Sequence, residues 1–321
     1  MREADSLLVL FPCDMRESIQ KLLRWYDRLE EIRLRVDKPM IVKLHEGEYF
    51  LTGEGRLTDS EGEAIYIREA VLREMLNIIC KDSLYAFSDE IRQGFISVPG
   101  GHRVGICGQA VMEADGTLRT LKHFGSINIR VSHEIKGVAD RILPYVYREG
   151  RPCSCLMISP PGCGKTTLLR DLVRQISNGC AYGAGICVGV VDERSEIAGC
   201  YLGIAQNDVG IRTDILDACP KTYGMMMLIR SMAPGMIAID ELGSEEDVDT
   251  VRKVFACGCG ILATIHGEDM HSLQEKVYLR GILQNRIFDR YILLGKRNGH
   301  PGIRAVYGRD GELCCEWQEP C

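Results

Sequence analysis

The segment SPPGCGKTT, which begins at Ser159, carries the residues best suited to chemistry in this 321-residue chain. It meets the pattern G-x-x-x-x-G-K-[ST], except that Ser159 stands where the first glycine is usual. Glycines let backbone N–H groups approach a phosphate, the lysine neutralises β- and γ-phosphate oxygens, and the threonine binds Mg²⁺. The alternative is a chance match on a glycine-rich turn. The segment predicts a site for ATP and Mg²⁺, with a catalytic Lys165 and with Thr166 as a metal ligand. We expect nucleotide to be bound by Ser159, Pro160, Pro161, Gly162, Cys163, Gly164, Lys165, Thr166 and Thr167.

Two adjacent carboxylates, Asp240 and Glu241, end the apolar run MIAIDE. Because parallel sheets bind ligands at the carboxyl ends of their strands, we expect these acids to lie beside the phosphate loop. Asp240 is then placed to hold Mg²⁺ through water, and Glu241 to orient and deprotonate the attacking water. The alternative is that they form an acidic cap on the helix after Gly243 and Ser244.

The segment VVDERSEIAG supplies a second acidic cluster, consisting of Asp192, Glu193 and Glu196. It follows another apolar, strand-like run. We interpret Glu193 and Glu196 as catalytic residues in a second acidic wall around Mg²⁺ and the attacking water. The alternative is a solvated turn that leads into a helix.

The segment ATIHGED ends a further apolar run with Thr264 and His266. A polar residue at the end of a core strand beside a phosphate loop can sense the γ-phosphate by hydrogen bonding. We therefore predict that His266 takes part in catalysis, with a purely structural histidine as the alternative.

These motifs lie in a region, 151–321, in which apolar strand-like runs alternate with helical patterns. The strand-like runs are CLMIS, ICVGVVDE, MIAIDE and GILATIH. Such alternation predicts an α/β fold with a parallel sheet and helices on both of its faces. The sheet would bring the four motifs to one edge.

The region 1–135 mixes short strands and helices and predicts a smaller α+β domain. A linker over 136–150 follows, because Gly137, Pro144 and Gly150 break regular structure there. The patterns predict strands within 30–44 and 126–132, helices over Arg68–Ile79 and Leu84–Gln93, and a hairpin around Pro99–Gly101.

Composition narrows the class of protein. Net charge is −6 and neither half of the chain is basic, so we expect no nucleic-acid partner. No apolar run approaches the roughly 18 residues that span a bilayer, and the N-terminus lacks a secretory signal pattern. We expect a cytosolic protein with no direct membrane insertion.

The 15 cysteines show no CxxC spacing and favour reduced, structural thiols. A metal site near the C-terminus, with Cys314, Cys315 and Cys321, is the alternative.

Taken in order, the motifs resemble those of the secretion-superfamily ATPases of type II and type IV secretion and of pilus motors. Those ATPases carry a Walker A loop, an acidic box, a Walker B strand and a histidine box. The serine-started loop, DERSEIAG and the run IRSMAPGMIAIDELG are more similar to the stage III sporulation protein AA family of spore-forming bacteria. EIRLRVDKP and GHRVGICGQAV resemble that family as well, so the resemblance covers nearly the whole chain. Secretion motors usually end their Walker B strand in Gly-Glu, whereas this chain has Asp240-Glu241.

The resemblance implies a RecA-like P-loop ATPase domain, a homo-hexameric ring and nucleotide bound between the two domains. In secretion ATPases, arginines of the N-terminal domain reach the phosphates, and the matching positions here are Arg103 and Arg130. The alternative is that these strand arginines pair with surface acids.

The resemblance also implies an ATP-hydrolysing motor that energises assembly or transport by a sporulation channel between mother cell and forespore. Its partners would be the membrane-embedded proteins of that complex, and the chain would lie at their cytoplasmic periphery in the mother cell. The alternatives are a nucleotide-dependent scaffold or switch with little hydrolysis, a pilus or type II secretion-type motor, and a nucleic-acid-dependent motor. The balanced charge argues against the last of these.

Overall fold

The computed structural model describes residues 3–81, 83, 87–297 and 300–317. The chain divides into two compact units, Met1–His133 and Glu134–Cys321. The first unit contains helices α1 (Glu3–Leu8), α2 (Arg16–Leu22), α3 (Glu69–Ile79) and α4 (Ser88–Gln93), and strands β1 (Leu29–Arg35), β2 (Ile41–Leu44), β3 (Gly47–Leu51), β4 (Leu57–Thr58), β5 (Phe95–Ser97), β6 (Arg103–Met112) and β7 (Leu118–Arg130).

The strands of the first unit form an antiparallel sheet in the order β4-β3-β2-β1-β7-β6-β5. Leu29, Ile32 and Leu34 of β1 are buried while their neighbours are partly exposed, as expected for a sheet with one covered face. The apolar stripe of α3 is buried in the same core. For the predicted helix at Leu84–Gln93, the structure gives α4, and the predicted start at residues 84–86 lies outside the described residues.

The second unit alternates strands and helices along most of its length. Its helices are α5 (Leu143–Val146), α6 (Lys165–Asn178), α7 (Lys221–Ser231), α8 (Glu245–Ala256), α9 (Met270–Glu275) and α10 (Arg280–Gln284), and its strands are β8 (Tyr147–Arg148), β9 (Arg151–Pro152), β10 (Cys155–Ser159), β11 (Gly179–Cys180), β12 (Gly183–Ala184), β13 (Val188–Asp192), β14 (Thr213–Asp217), β15 (Met236–Glu241), β16 (Gly260–His266), β17 (Arg290–Arg297), β18 (His300–Gly308) and β19 (Leu313–Glu316).

The main sheet of this unit has the order β14-β13-β15-β16-β10-β17-β18-β19. Its strands are parallel from β14 to β17, and β18 and β19 add an antiparallel edge. Alternate residues of β10 belong to two cores: Met157 packs with the core that includes α6, and Leu156 with the core that includes α7 and α8. The predicted parallel sheet with helices on both faces is therefore confirmed. Strand β14 and the edge β17–β19 were not anticipated from the sequence.

Residues 136–150, interpreted above as a linker, group with the second unit. Ala139, Ile142 and Val146 are buried in the core that includes α6. The backbone N–H of Ala139 donates a 2.8 Å hydrogen bond to Asp171 of α6, and Asp171 is itself 2% exposed. This segment is thus packed against the sheet layer.

Within the described residues, no helix has both the length and the apolar character needed to cross a membrane.

Candidate nucleotide site

The phosphate loop joins the buried end of β10 to the first turn of α6. Gly162 and Gly164 have φ angles of +68° and +85°, in the left-handed region that favours glycine. A Cβ on Gly164 would meet no atom within 4 Å, so backbone conformation rather than crowding explains this glycine. Ser159 is buried, and its hydroxyl donates to the carbonyl of Pro160 at 2.8 Å. The loop ends where the first N–H groups of a helix lack intrahelical partners, which is a ready site for an anion.

A cavity of about 410 Å³ opens over this loop, within the second unit. It is lined by Pro161, Gly162, Cys163, Gly164, Lys165, Thr166, Thr167, Glu193, Arg194, Glu196, Lys221, Asp240, Glu241, Gly243 and His266. Most residues that the sequence analysis assigned to the site therefore meet in one place. Ser159 and Pro160 support the loop without lining the cavity, and Arg103 and Arg130 belong to the first unit.

Asp240 lies where the register between β15 and β16 is irregular. Glu241, rather than Asp240, is the residue opposite Thr264. The Thr264 hydroxyl donates to Asp240 Oδ1 at 3.3 Å. Burial, together with the nearby carboxylates of Glu196 and Asp192, raises the pKa of Asp240 to about 6. The end of β15 is thus a crowded, negatively charged position that a cation would stabilise.

Lys165 is tied to the two neighbouring strand ends through His266. Lys165 Nζ lies 3.0 Å from His266 Nδ1, and His266 Nε2 lies 3.3 Å from Glu241 Oε2. Because an ammonium can only donate, Nδ1 accepts and Nε2 carries the hydrogen that faces Glu241. Burial lowers the pKa of Lys165, while the charges of Glu241 and Asp240 oppose that shift. Lys276 holds the other side of this histidine by donating to its backbone carbonyl.

Asp192 shapes the acidic turn that follows β13. Its buried carboxylate accepts hydrogen bonds from the backbone N–H groups of Glu196, Ile197 and Ala198, at 2.7, 3.0 and 2.8 Å. Burial raises the pKa of Asp192, although these hydrogen bonds favour its charged form. From α6, Arg170 donates to the carbonyls of Ile197 and Glu196 at 2.6 and 2.7 Å. The turn that carries Glu196 is therefore fixed from two sides.

Glu193, on the same turn, forms an ion pair with Lys221, the first residue of α7. The distance between Lys221 Nζ and Glu193 Oε2 is 2.6 Å. Both side chains line the cavity, so this ion pair is part of its wall.

Arg103 and Arg130 are direct partners in the register of β6 and β7. Residues directly opposite in an antiparallel pair share a face, so the two guanidinium groups lie on the same side of the first unit's sheet. Arg103 lies over the ring of Phe95 at 4.7 Å from its centroid, and Arg130 is also opposite Glu31 of β1. Their role at a nucleotide stays a prediction.

The cysteines that the structure describes are free thiols. Cys163 of the phosphate loop is only 3% exposed. Among the described residues, no group of three or more His, Cys, Asp or Glu is arranged to hold a metal ion by itself. Cys321 of the alternative cysteine site lies outside the described residues.

Comparison with protein families identifies the chain. The family model described as "Sporulation stage III, protein AA" matches residues 1–314. The chain belongs to this family. Stage III sporulation protein AA of Bacillus subtilis (strain 168) is 34% identical over 306 residues, which cover 95% of each chain.

Solved structures show that this chain shares a fold with an ATPase and with a pilus motor. The ATPase DotB of Legionella pneumophila aligns with a TM-score of 0.56 and 12% identity, covering 91% of this chain and 79% of DotB. The pilus retraction motor PilT, solved with bound ADP, aligns with a TM-score of 0.59 and 14% identity, covering 94% and 83%. At such low identity the likeness establishes the fold alone.

The sequence analysis missed three basic residues in or beside the site: Arg170, Arg194 and Lys221. Arg170 lies one turn beyond the phosphate loop on α6, and only the folded acidic turn reveals its acceptors. Lys221 follows Pro220 at the start of α7, and no motif marks it. Nothing in the sequence around Pro220 indicates that Lys221 faces the cavity.

Proposed function

We propose that this chain is an ATPase whose nucleotide site is the cavity over the phosphate loop. The observation that carries the proposal is the convergence there of that loop with the carboxyl ends of β13, β15 and β16. The P-loop supplies a helix N-terminus and a partly buried lysine, and the other strands supply carboxylates and a histidine. This combination suits phosphoryl transfer, in which positioning and charge stabilisation do most of the work.

The residues present fit a divalent cation beside the nucleotide. Thr166 and Asp240 both line the cavity, and oxygen donors of this kind suit Mg²⁺. Burial, together with the negative charge of Glu196 and Asp192, makes ionisation of Asp240 unfavourable without a cation nearby. When bound, Mg²⁺ would neutralise phosphate oxygens as charge develops on them.

The side chains then have distinct tasks. Glu241 orients the attacking water and accepts its proton, while Glu193 and Glu196 form the second acidic wall. Lys165 exchanges its contact with His266 for phosphate oxygens, and His266 then turns its Nε2–H from Glu241 to the terminal phosphate. Arg103 and Arg130 are proposed to reach the phosphates from the first unit, as the likeness to secretion ATPases implies.

In the cell, we propose that hydrolysis energises assembly or transport by a sporulation-associated membrane channel between mother cell and forespore. The chain would work as a homo-hexamer on the cytoplasmic side, against membrane-embedded partners, without nucleic acid. Family membership supports this role, and DotB, named as an ATPase, and PilT, named as a motor and solved with bound ADP, support the use of ATP.

The decisive experiment measures Mg²⁺-dependent ATP hydrolysis by the full chain and by Lys165→Ala, Glu241→Gln and a control, Lys253→Ala. Lys253 is exposed on α8 and should leave turnover unchanged. Glu241→Gln should lower turnover about 10²–10⁴-fold while nucleotide still binds, because it removes a general base. Lys165→Ala should lose binding as well.

If the wild type and Glu241→Gln bind nucleotide equally and neither hydrolyses it, the protein is a nucleotide-dependent switch and not a motor. If the wild type binds no nucleotide, the assignment of the cavity as a nucleotide site is wrong. Light scattering with and without a non-hydrolysable ATP analogue tests the hexamer, since a monomer in both states contradicts self-assembly on nucleotide.

A further inference from the structure

We infer that Lys221 binds the terminal phosphate of the nucleotide, so that it distinguishes a triphosphate from a diphosphate. This inference rests on the proposed function, because it needs a nucleotide in the cavity. Without nucleotide, Lys221 is held by Glu193. Arrival of a triphosphate exchanges that carboxylate for phosphate oxygens and releases Glu193.

The first observation is where the ammonium lies. Lys221 lines the same cavity as Lys165, and its side chain is only 16% exposed. It contacts a carboxylate that also lines the cavity, at 2.6 Å. A largely buried lysine with an anionic partner, in the cavity that opens over the phosphate loop, is placed to exchange one anion for another.

The second observation is that the ion pair is built on tied segments. The N–H of Ala218, just before α7, donates to the carbonyl of Asp192 at 2.9 Å. Ser195 of the acidic turn donates to Asp217 at 2.5 Å. A Cβ at Gly224 would lie 2.6 Å from Val191, so the first turn of α7 packs closely on β13. Lys221 therefore has a fixed base, and only its side chain needs to move.

The third observation is the distance from the phosphate loop. In the sheet, β16 and β15 separate β10, which carries the loop, from β13, which leads to Glu193. Three strand spacings amount to roughly 14 Å. Both lysines line the cavity between these strand ends, and we infer that the γ-phosphate of a nucleotide anchored through its β-phosphate at Lys165 lies on the Lys221 side, where a diphosphate ends short.

The competing explanation is an ion pair that only stabilises the fold, and the test separates the two. The affinities of the full chain for Mg²⁺–ADP and Mg²⁺–ATPγS are measured by calorimetry. The variants are Lys221→Met, Lys221→Arg and Glu193→Gln, with Lys253→Met as the matched control on an exposed lysine. Thermal unfolding without nucleotide shows that each variant is folded.

Lys221→Met should weaken ATPγS binding about tenfold and leave ADP within about twofold, since one charged phosphate contact is worth about 1.4 kcal/mol or more. Lys221→Arg should retain most of the preference for ATPγS. Glu193→Gln should tighten ATPγS relative to ADP by about threefold, because the lysine no longer has a carboxylate to leave.

An equal loss for both nucleotides, or no change for either, in Lys221→Met overturns the inference. If Lys221→Met does not fold, an unchanged ATPγS/ADP ratio in Glu193→Gln overturns it instead. The proposed function is tested separately. It is contradicted if the wild type binds neither nucleotide. It is supported if Lys165→Ala abolishes ADP binding, even when Lys221→Met changes the affinity for neither nucleotide.

Discussion

The two large sheets in the described part of the chain differ in how they bury their residues. In the first unit, antiparallel strands such as β1 and β2 alternate buried and partly exposed side chains. In the second unit, β10 and β13 are buried at every position. An antiparallel sheet sends the carboxyl ends of neighbouring strands to opposite edges, whereas a parallel sheet collects them at one edge. The chemically useful side chains gather in the second unit for this reason, although more than 100 residues separate Ser159 from His266.

Buried polar side chains have a different role in each unit. Asp192 in the second unit is buried to shape a turn that presents other acids to a cavity. In the first unit, His102 is buried to join distant segments: Ser6 lies 2.8 Å from its Nε2, and the N–H of Ser132 donates to its Nδ1 at 3.0 Å.

The largest expected effect comes from removing these two groups. Asp192→Ala should lower the free energy of unfolding by about 3 kcal/mol, because it leaves backbone N–H groups buried without acceptors. It should also abolish hydrolysis, since Glu193 and Glu196 lose their positions. His102→Ala should lower the free energy of unfolding by about 2 kcal/mol, because it leaves fewer hydrogen-bond partners unsatisfied. Denaturant unfolding and ATPase assays check both, and a costlier His102→Ala would reverse the comparison.

A pair of glycines with nearly the same backbone angle gives the next effect. Gly100 of the first unit and Gly164 of the phosphate loop have φ angles of +83° and +85°. A Cβ at Gly100 would lie 2.2 Å from Ser6 Oγ, whereas at Gly164 it would meet open space. Gly164→Ala should therefore cost only the backbone strain, about 1 kcal/mol, and Gly100→Ala about 2 kcal/mol.

Thermal unfolding measures this glycine pair. Equal costs would mean that the first unit relaxes around Ser6 and is less rigid than its contacts indicate.

An effect that depends on pH tests how the segment before β8 is held against α6. Burial opposes ionisation of Asp171, but hydrogen bonds from Ala139, Arg174 and Gln175 outweigh it and lower the pKa of this carboxyl. A lowered folded-state pKa stabilises the fold above the ordinary aspartate range, and that stabilisation is lost as pH falls through the folded pKa. Asp171→Asn should cost about 1.5 kcal/mol at pH 7 and progressively less in acid.

Unfolding curves for the wild type and Asp171→Asn between pH 7 and pH 3 check the sign. A difference that grows toward low pH would contradict the assigned hydrogen bonds.

Sequence patterns predicted some strands and their burial but missed others. The buried runs that end in Asp240 and His266 could be predicted, because continuous apolar strands followed by polar residues have a specific meaning in a parallel sheet. Strand β14 was missed because its sequence TDILD begins and ends in polar residues. The burial of Ala139 was missed because flanking glycines and a proline signalled a linker, while the packing that decides its position comes from α6.

Within the site, carboxylates were predictable and their partners were not. Glu193 belongs to a recognisable cluster, but its ion pair with Lys221 depends on how α7 packs against β13. Likewise, the chain Lys165–His266–Glu241 joins three motifs that were each recognised separately. Their contact follows from the order of β10, β16 and β15, which no single motif contains.

The irregular register at Asp240 has a consequence for anyone who would transplant this motif into another protein. In a regular strand, successive side chains point to opposite faces, so two adjacent acids would serve two different surfaces. The extra residue turns a pair that diverges into one that converges, and both Asp240 and Glu241 line the cavity. A graft that copies the letters MIAIDE onto a straight strand would deliver only one of the two carboxylates. The neighbouring strand, with Thr264 opposite Glu241, has to be grafted with it.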